Sequence, residues 1–133
     1  MMLREYCPKM SMQECLEMIA AWDTLEYEGK YFEMFAVLAD GEVVGSVSLY
    51  DHGEDTIGPG PEIWQSARQK GYAYAAMTQA LAHARAKGFT KAEGMVRIDN
   101  TASIRLHEKL GYICKETVVN RKGNTVHLFE KLL

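Results

Sequence analysis

The sequence predicts an α/β fold built on a mixed, mostly antiparallel β-sheet flanked by helices. Three observations predict it. Two apolar, β-rich runs, Tyr31 to Ala39 and Glu42 to Tyr50, flank Asp40-Gly41, a pair that tolerates the positive φ of a tight hairpin turn. Two segments of helical periodicity, each closed by a glycine (Gly88 and Gly111), alternate with strand-like runs. Nearly half of the 133 residues are hydrophobic and a quarter are charged, as expected for one domain, residues 1–133, with a single core.

The elements follow in order. Met2 to Cys7 reads as a short first strand. Ser11-Met12-Gln13-Glu14 fits a capping box, in which the serine and glutamate side chains satisfy backbone N–H groups at a helix start. Met12, Cys15, Leu16, Ile19 and Trp22 then recur at helical spacing to about Asp23. The hairpin comes next, and Asp51 to Asp55 reads as a polar loop. Thr56 to Trp64 carries two prolines and two glycines (Gly58-Pro59-Gly60-Pro61), which make a poor regular strand and suit a bulged or broken one. From Arg68 or Gly71 to Lys87 the chain is helical, with Ala73, Met77, Ala80, Leu81 and Ala84 on one face. Gly88 supplies a left-handed stop with Phe89 behind it. Lys91 to Ile98 is a strand. Asn100 caps a helix to Leu110, stopped by Gly111. Tyr112 to Asn120 and Thr125 to Leu133 are strands around a Lys122-Gly123-Asn124 turn. The order is β-α-β-β-β-α-β-α-β-β.

A formal net charge of −3 argues against a general nucleic-acid binder, which would carry a basic face. Three cysteines, Cys7, Cys15 and Cys114, show no metal-ligand spacing, and with scattered histidines they give no case for a metal site. Unpaired thiols suggest a reducing, cytoplasmic setting. No apolar run approaches a membrane span, so no membrane partner is expected. Arg4, Glu5 and Lys9 break any signal-peptide core.

The chemistry concentrates in two segments. Arg68-Gln69-Lys70-Gly71-Tyr72-Ala73 reads R-x-x-G-x-A and runs into a helix. The first four N–H groups of a helix lack intrahelical partners, and the helix dipole places partial positive charge there. Small residues at Gly71 and Ala73 let a phosphate approach the backbone, and Arg68 and Lys70 add full charges. Downstream, Asn100 to Tyr112 reads N-x-x-S-x-x-L-x-x-K-x-G-Y. A Walker pattern, a G-x-S-x-G elbow and a Cys-His signature are absent from the sequence.

Together the two segments resemble the GNAT superfamily of N-acetyltransferases. The resemblance is strong over the second half of the chain and rests on layout in the first. It implies the GNAT fold, with acetyl-CoA as co-substrate and its pyrophosphate held at Arg68, Gln69, Lys70, Gly71, Tyr72 and Ala73. It also implies that Asn100, and Ser103 one turn on, lie beside the pantetheine, Asn100 serving as N-cap as well. The strand before the loop would splay from the Lys91–Ile98 strand. Pantetheine would pair with its open edge, and a backbone N–H near Ile63 to Gln65 would face the thioester oxygen. Glu62 occupies the place where many members carry a glutamate that takes the amine proton through water. Glu33 and Asp55 are rivals, and a solvated carboxylate is the structural alternative. His107 stands where the family often has a tyrosine that protonates the departing thiolate. Histidine can donate a proton near neutrality; packing or solvent exposure are its alternatives, and Tyr72, Tyr74 or water could then act. Lys109 would reach a CoA phosphate or simply end the helix.

The chain departs from the family pattern between Thr24 and Lys30, too short for the second helix that usually follows the first. The expected acceptor is a small-molecule amine or a peptide amine. Glu26, Glu28 and Glu33 would favour a cationic one, though a solvated face explains them as well. The resemblance allows a homodimer through the C-terminal strands, where Val126, Leu128, Phe129, Leu132 and Leu133 are apolar, though these would equally serve a core. Two other readings stand beside the enzyme: a CoA-binding regulatory module without catalysis, and a phosphate- or nucleotide-binding α/β domain unrelated to CoA.

Overall fold

The structure, a computed structural model, describes residues 30–39, 42–63 and 71–133. The predicted first strand, the capping box and first helix, the Asp40-Gly41 turn and the Arg68–Lys70 part of the loop lie outside these residues. The described elements are β1 (Phe32–Ala39), β2 (Glu42–Gly53), β3 (Thr56–Ile63), α1 (Tyr72–Ala86), β4 (Lys91–Arg97), α2 (Thr101–Lys109), β5 (Ile113–Val119) and β6 (Thr125–Leu132). They form a six-stranded sheet in the order β1-β2-β3-β4-β6-β5. Every neighbouring pair is antiparallel except β3 and β4.

β1 and β2 pair from Phe32↔Tyr50 to Ala39↔Glu42, the hairpin that the D-G pair predicts. β2 runs three residues further than expected. Asp51 to Gly53 is strand rather than loop, and the turn is confined to Glu54 and Asp55, both at positive φ. Two such residues in succession are what a right-twisted two-residue hairpin requires.

β3 corrects the sequence expectation too. Its Gly-Pro-Gly-Pro run forms a continuous strand paired with β2 from Ile57 to Ile63. The reason lies in which backbone groups the prolines remove. Asp51 N–H donates to the Tyr31 carbonyl at 3.0 Å, so residues 51, 49 and 47 of β2 turn their backbone groups toward β1. Leu49↔Pro59 and Val47↔Pro61 are therefore non-hydrogen-bonded pairs of the β2–β3 ladder. The N–H groups that Pro59 and Pro61 lack would have pointed away from β2, on the β4 side.

Both described helices pack on the sheet face formed by Val47, Leu49, Ile57, Ala92 and Phe129. Met77, Ala80, Leu81 and Ala84 of α1 and Leu110 at the end of α2 complete the core. Ala73, expected on the buried face of α1, is only half-buried; Ala76 takes its place. Each helix ends in the same motif. Phe89 N–H donates to Ala84 O and Gly88 N–H to Arg85 O, both at 3.1 Å; Tyr112 N–H donates to His107 O at 2.9 Å and Gly111 N–H to Glu108 O at 3.0 Å. Both glycines are left-handed, as the Schellman geometry demands. Among the C-terminal apolar residues, Val126 and Phe129 belong to the core, while Leu132 is exposed. Among the described residues no helix is long and apolar enough to cross a membrane, and no group of three or more His, Cys, Asp and Glu side chains could hold a metal ion.

Tyr112 is buried, yet its hydroxyl has no hydrogen-bond partner among the described residues, and burial pushes the phenol far above its ordinary pKa. A buried hydroxyl without a partner costs stability that a phenyl ring does not. Tyr112→Phe should therefore stabilise the fold by about 1 kcal/mol, or roughly 4 °C in Tm for a chain of this size. Thermal denaturation followed by circular dichroism checks this; a lower Tm would mean that the hydroxyl is satisfied.

Candidate active site

The sheet divides where β3 meets β4. Their parallel ladder holds two register pairs, Thr56↔Lys91 and Ile57↔Ala92. Beyond it β3 continues on β2 as far as Gly45↔Ile63, and β4 continues on β6 as far as Arg97↔Val126. The two edges thus part as a fork. On the β3 edge, Pro59 and Pro61 offer carbonyls but no N–H. By the alternation of the ladder, Ile63 is the first residue beyond Ile57 to carry an N–H on that side. Gly45 lets the end of β3 lie close, since a Cβ there would come within 2.1 Å of the Glu62 carbonyl oxygen.

A cleft of about 680 Å³ lies at this end of the molecule. It is lined by Pro61, Glu62 and Ile63 of β3, by Gly71 to Tyr74 at the start of α1, and by Asn100, Ala102, Ser103, Arg105, Leu106 and Lys109. It thus gathers Glu62, Ile63, Gly71, Tyr72, Ala73, Asn100 and Ser103 in one place; Arg68, Gln69 and Lys70 lie outside the described residues. Gly71 enters α1 at φ 80°, no side chain caps that helix, and its first turn holds no acidic residue. The terminal N–H groups and positive dipole end of α1 are therefore directed at the cleft, with no acidic side chain in the helix's own first turn. Among the described residues a Cβ at Gly71 would meet nothing within 4 Å, so the limit on this residue is its left-handed backbone.

Asn100 caps α2, accepting the Ser103 N–H on Oδ1 at 3.1 Å. Arg105 and Lys109 extend the lining one turn apart, and the Lys109 Nζ sits 4.4 Å from the centre of the Tyr74 ring. Arg105 escaped the sequence reading, although counting three or four residues along α2 from Ser103 and Ala102 would have found this face.

Glu62 pairs in register with Ser46, so its side chain projects from the sheet face opposite to Pro61 and Ile63. A carboxylate there can reach the fork from the side away from α1. The two rival carboxylates stand elsewhere. Asp55 forms the β2–β3 turn at the other end of β3. Glu33 accepts from the Tyr31 hydroxyl, contacts His83 Nε2 at 2.8 Å and lies 3.6 Å from Lys87 Nζ. Burial pulls the Glu33 pKa up, but the hydrogen bonds from Tyr31 and His83 and the neighbouring positive charges outweigh it and hold the carboxyl below its usual range. That carboxylate ties β1 to α1 and is committed to its neighbours.

His107 is not among the residues that line the cleft. It is 7% exposed, stacked on Phe129 at 5.3 Å and edge-on to Tyr112 at 4.8 Å. Its Nδ1 lies 2.8 Å from the Ser103 carbonyl. A carbonyl only accepts, so the neutral ring carries its proton on Nδ1 and an unprotonated Nε2. Nε2 faces Gly94, where a Cβ would lie 2.9 Å away. Burial lowers the His107 pKa, partly opposed by the bond to Ser103. In the neutral ring the hydrogen bond to Ser103 places the proton on Nδ1 rather than Nε2.

A second cavity, of about 360 Å³, lies between β1 and α1, lined by Phe35, Val37, Val47, Gln79 and His83 among others. Tyr72 borders both spaces. Of these two spaces among the described residues, the larger combines the start of α1 with the edge of β3.

The family described as "Acetyltransferase (GNAT) domain" matches the chain over residues 1–113. Similar solved structures include an N-acetyltransferase from Staphylococcus aureus Mu50, at 24% identity and TM-score 0.72, covering 87% of this chain and 75% of that one. The spermidine/spermine N-acetyltransferase of Vibrio cholerae aligns with TM-score 0.72 at 18% identity over 89% of this chain and 75% of that one. The yncA protein of Salmonella typhimurium, solved with its cofactor acetyl-CoA, aligns with TM-score 0.68 at 20% identity over 77% of this chain and 65% of that one. At these identities the likeness is one of fold. No curated protein matches the chain in sequence.

The state of His107 is directly measurable. An NMR titration of the imidazoles should give His107 a midpoint below 6.5, with Nδ1 protonated in the neutral form. Because the folded pKa is the lower one, the unfolded chain takes up this proton first as pH falls. The ring then costs no stability above about 6.5 and progressively destabilises the fold as pH drops from there toward the folded value. A midpoint at or above 6.5 would contradict the buried, neutral assignment.

Proposed function

Because the chain belongs to the GNAT acetyltransferase domain family, we propose that it transfers an acetyl group from acetyl-CoA to a primary amine by direct attack in a ternary complex. The observation that carries this reading is the cleft itself: one space bounded by an uncapped helix start, the open edge of a split sheet and the Asn100–Ser103 turn. An elongated thioester with an anionic end fits such a space. Its diphosphate would lie at Gly71 to Ala73, joined by the charges of the Arg68–Lys70 segment, and Lys109 stands within the same lining. Its amide-bearing arm would lie between β3 and Asn100. The Ile63 N–H would polarise the thioester carbonyl as charge develops on its oxygen.

Glu62 is the general base of this proposal. The amine nitrogen attacks the carbonyl carbon, a C–N bond forms and the carbonyl electrons move to oxygen. The tetrahedral species then collapses, the C–S bond breaks and the thiolate leaves. The nitrogen's surplus proton passes to Glu62, directly or through one water. The thiolate takes its proton from water or from Tyr72 or Tyr74, which line the cleft. A thiol of pKa about 8.5 is a tolerable leaving group without an enzymatic acid. The acceptor is a small-molecule or peptide amine, and the chain's place in the cytoplasm and as a homodimer belong to the same proposal.

One observation favours a second reading, a CoA-binding module without catalysis: the family's tyrosine position is filled by a histidine whose proton is held by Ser103. Calorimetry with acetyl-CoA, CoA and ATP, followed by turnover across a panel of amines, separates the readings. We expect acetyl-CoA to bind in preference to ATP, and Gly71→Glu to abolish binding by placing a carboxylate where the diphosphate lies. Glu62→Gln should lower kcat by about 100-fold or more and leave donor binding intact. Binding without turnover on any amine would favour the module; no CoA binding by the folded chain would remove both.

A further inference from the structure

We propose that His52 and Glu93 form a clasp across the apex of the fork, and that this clasp positions the two strand edges between which the acyl donor binds. The inference rests on the acetyl-CoA reading above and adds to it a pair of positioning residues outside the cleft.

The β2–β3 ladder gives the first observation. Asp51 pairs with Ile57 and Gly53 pairs with Thr56, so β2 advances two residues while β3 advances one. His52 is the extra residue of a bulge, a device that re-aims a side chain. The bulge is held by the Gly53 N–H, which donates to Asp51 Oδ1 at 2.7 Å, and by the positive φ of Gly53.

The second observation is where the re-aimed ring goes. It lies on the backbone of Gly58, so closely that a Cβ at Gly58 would stand 2.1 Å from His52 Nε2 and 2.4 Å from Cε1. Glycine at this position makes the crossing sterically allowed. Tyr50 closes against the ring edge-on, with centroids 5.6 Å apart. Having crossed β3, His52 Nδ1 meets Glu93 Oε1 on β4 at 2.5 Å.

The third observation is the location. The β3–β4 ladder ends at Ile57↔Ala92, so Gly58 and Glu93 are the first residues past the split. A side chain from β2 thus bridges β3 to β4 at the point where their backbone pairing stops. Glu93 stands in register with Glu130, which Lys91 and Lys115 approach at 3.5 and 3.8 Å. His52 is the partner that Glu93 meets on its other side. Without the clasp, β4 is fixed to β3 by two backbone pairs, and the spacing of the two edges beyond them is less well defined.

A double-mutant cycle tests this with acetyl-CoA as the probe. His52→Ala and Glu93→Ala should each raise the acetyl-CoA Kd and donor KM about two- to five-fold, the range a half-exposed polar side-chain pair commands. The kcat at saturating donor and the amine KM should stay unchanged. The double variant should be no weaker than either single one, and Glu93→Gln, which keeps a hydrogen-bonding partner for the ring, should restore most of the affinity. Gly58→Ala, which displaces the ring while leaving both partners in the chain, should reproduce the loss. Additive effects, an unchanged donor Kd, or a fall confined to kcat would overturn the clasp. Failure of the wild-type chain to bind acetyl-CoA would overturn the underlying reading and the clasp with it, so the two failures are distinguishable.

Discussion

The structure turns on the shortness of one ladder. Backbone N–H and C=O groups taken out of water must find partners, and a sheet that splits in its middle sets two rows of them apart. Here each half can bear the split. β3 is paired with β2 along its length, and β4 is paired with β6 along its length, so neither strand depends on the other for its register. What joins the halves is the short parallel ladder and the core beneath it, where Ile57, Ala92, Met77 and Phe129 belong to one cluster. The gap above is where backbone groups, a helix dipole and polar side chains can all address one ligand.

Helix termini decide which side chains reach that gap. The start of α1 has a left-handed glycine and no side-chain cap among the described residues, which suits its N–H groups to an outside acceptor. The start of α2 is capped by Asn100, which leaves Ser103 and the turn behind it ordered. At the far end of α2 the closing motif engages His107 through its own carbonyl and brings its ring against Tyr112. A residue recruited to close a helix, with its ring proton held by a carbonyl one turn back, has lost the freedom that proton transfer needs. In the proposed reaction the acid step is left to a tyrosine of the cleft or to solvent.

Much of this was legible in the sequence because local rules act alone. The β1–β2 hairpin, both glycine helix stops, the Asn100 cap and the turn before β6 follow from residues a few positions apart. So does the meeting of Gly71, Tyr72, Asn100 and Ser103, since each lies at the start of a helix on the same side of the sheet. The misses have a common cause in the third dimension. Asp51 to Gly53 looked like loop because its polar residues face solvent, while the strand's continuation depends on partners in β3. The prolines of β3 looked disruptive because sequence does not say which edge loses the N–H. The orientation of His107 depends on Gly94 and Phe129, from strands distant in the chain. The cleft lining of Arg105 was available from helical spacing, but the spacing does not tell which face of α2 meets the gap.

The Gly-Pro-Gly-Pro strand also bears on how this molecule behaves in a crowded solution. A split sheet exposes strand edges in its interior, and such edges are templates onto which the strand of another chain can add. Strand addition needs alternating donors and acceptors. With Pro59 and Pro61 the β3 edge supplies only acceptors at two successive positions, so a foreign strand can gain few bonds there. A short ligand that needs one donor near Ile63 is unaffected. The same two rings therefore discriminate by length, admitting a small molecule to the fork while discouraging strand addition at the β3 edge whenever the fork stands empty.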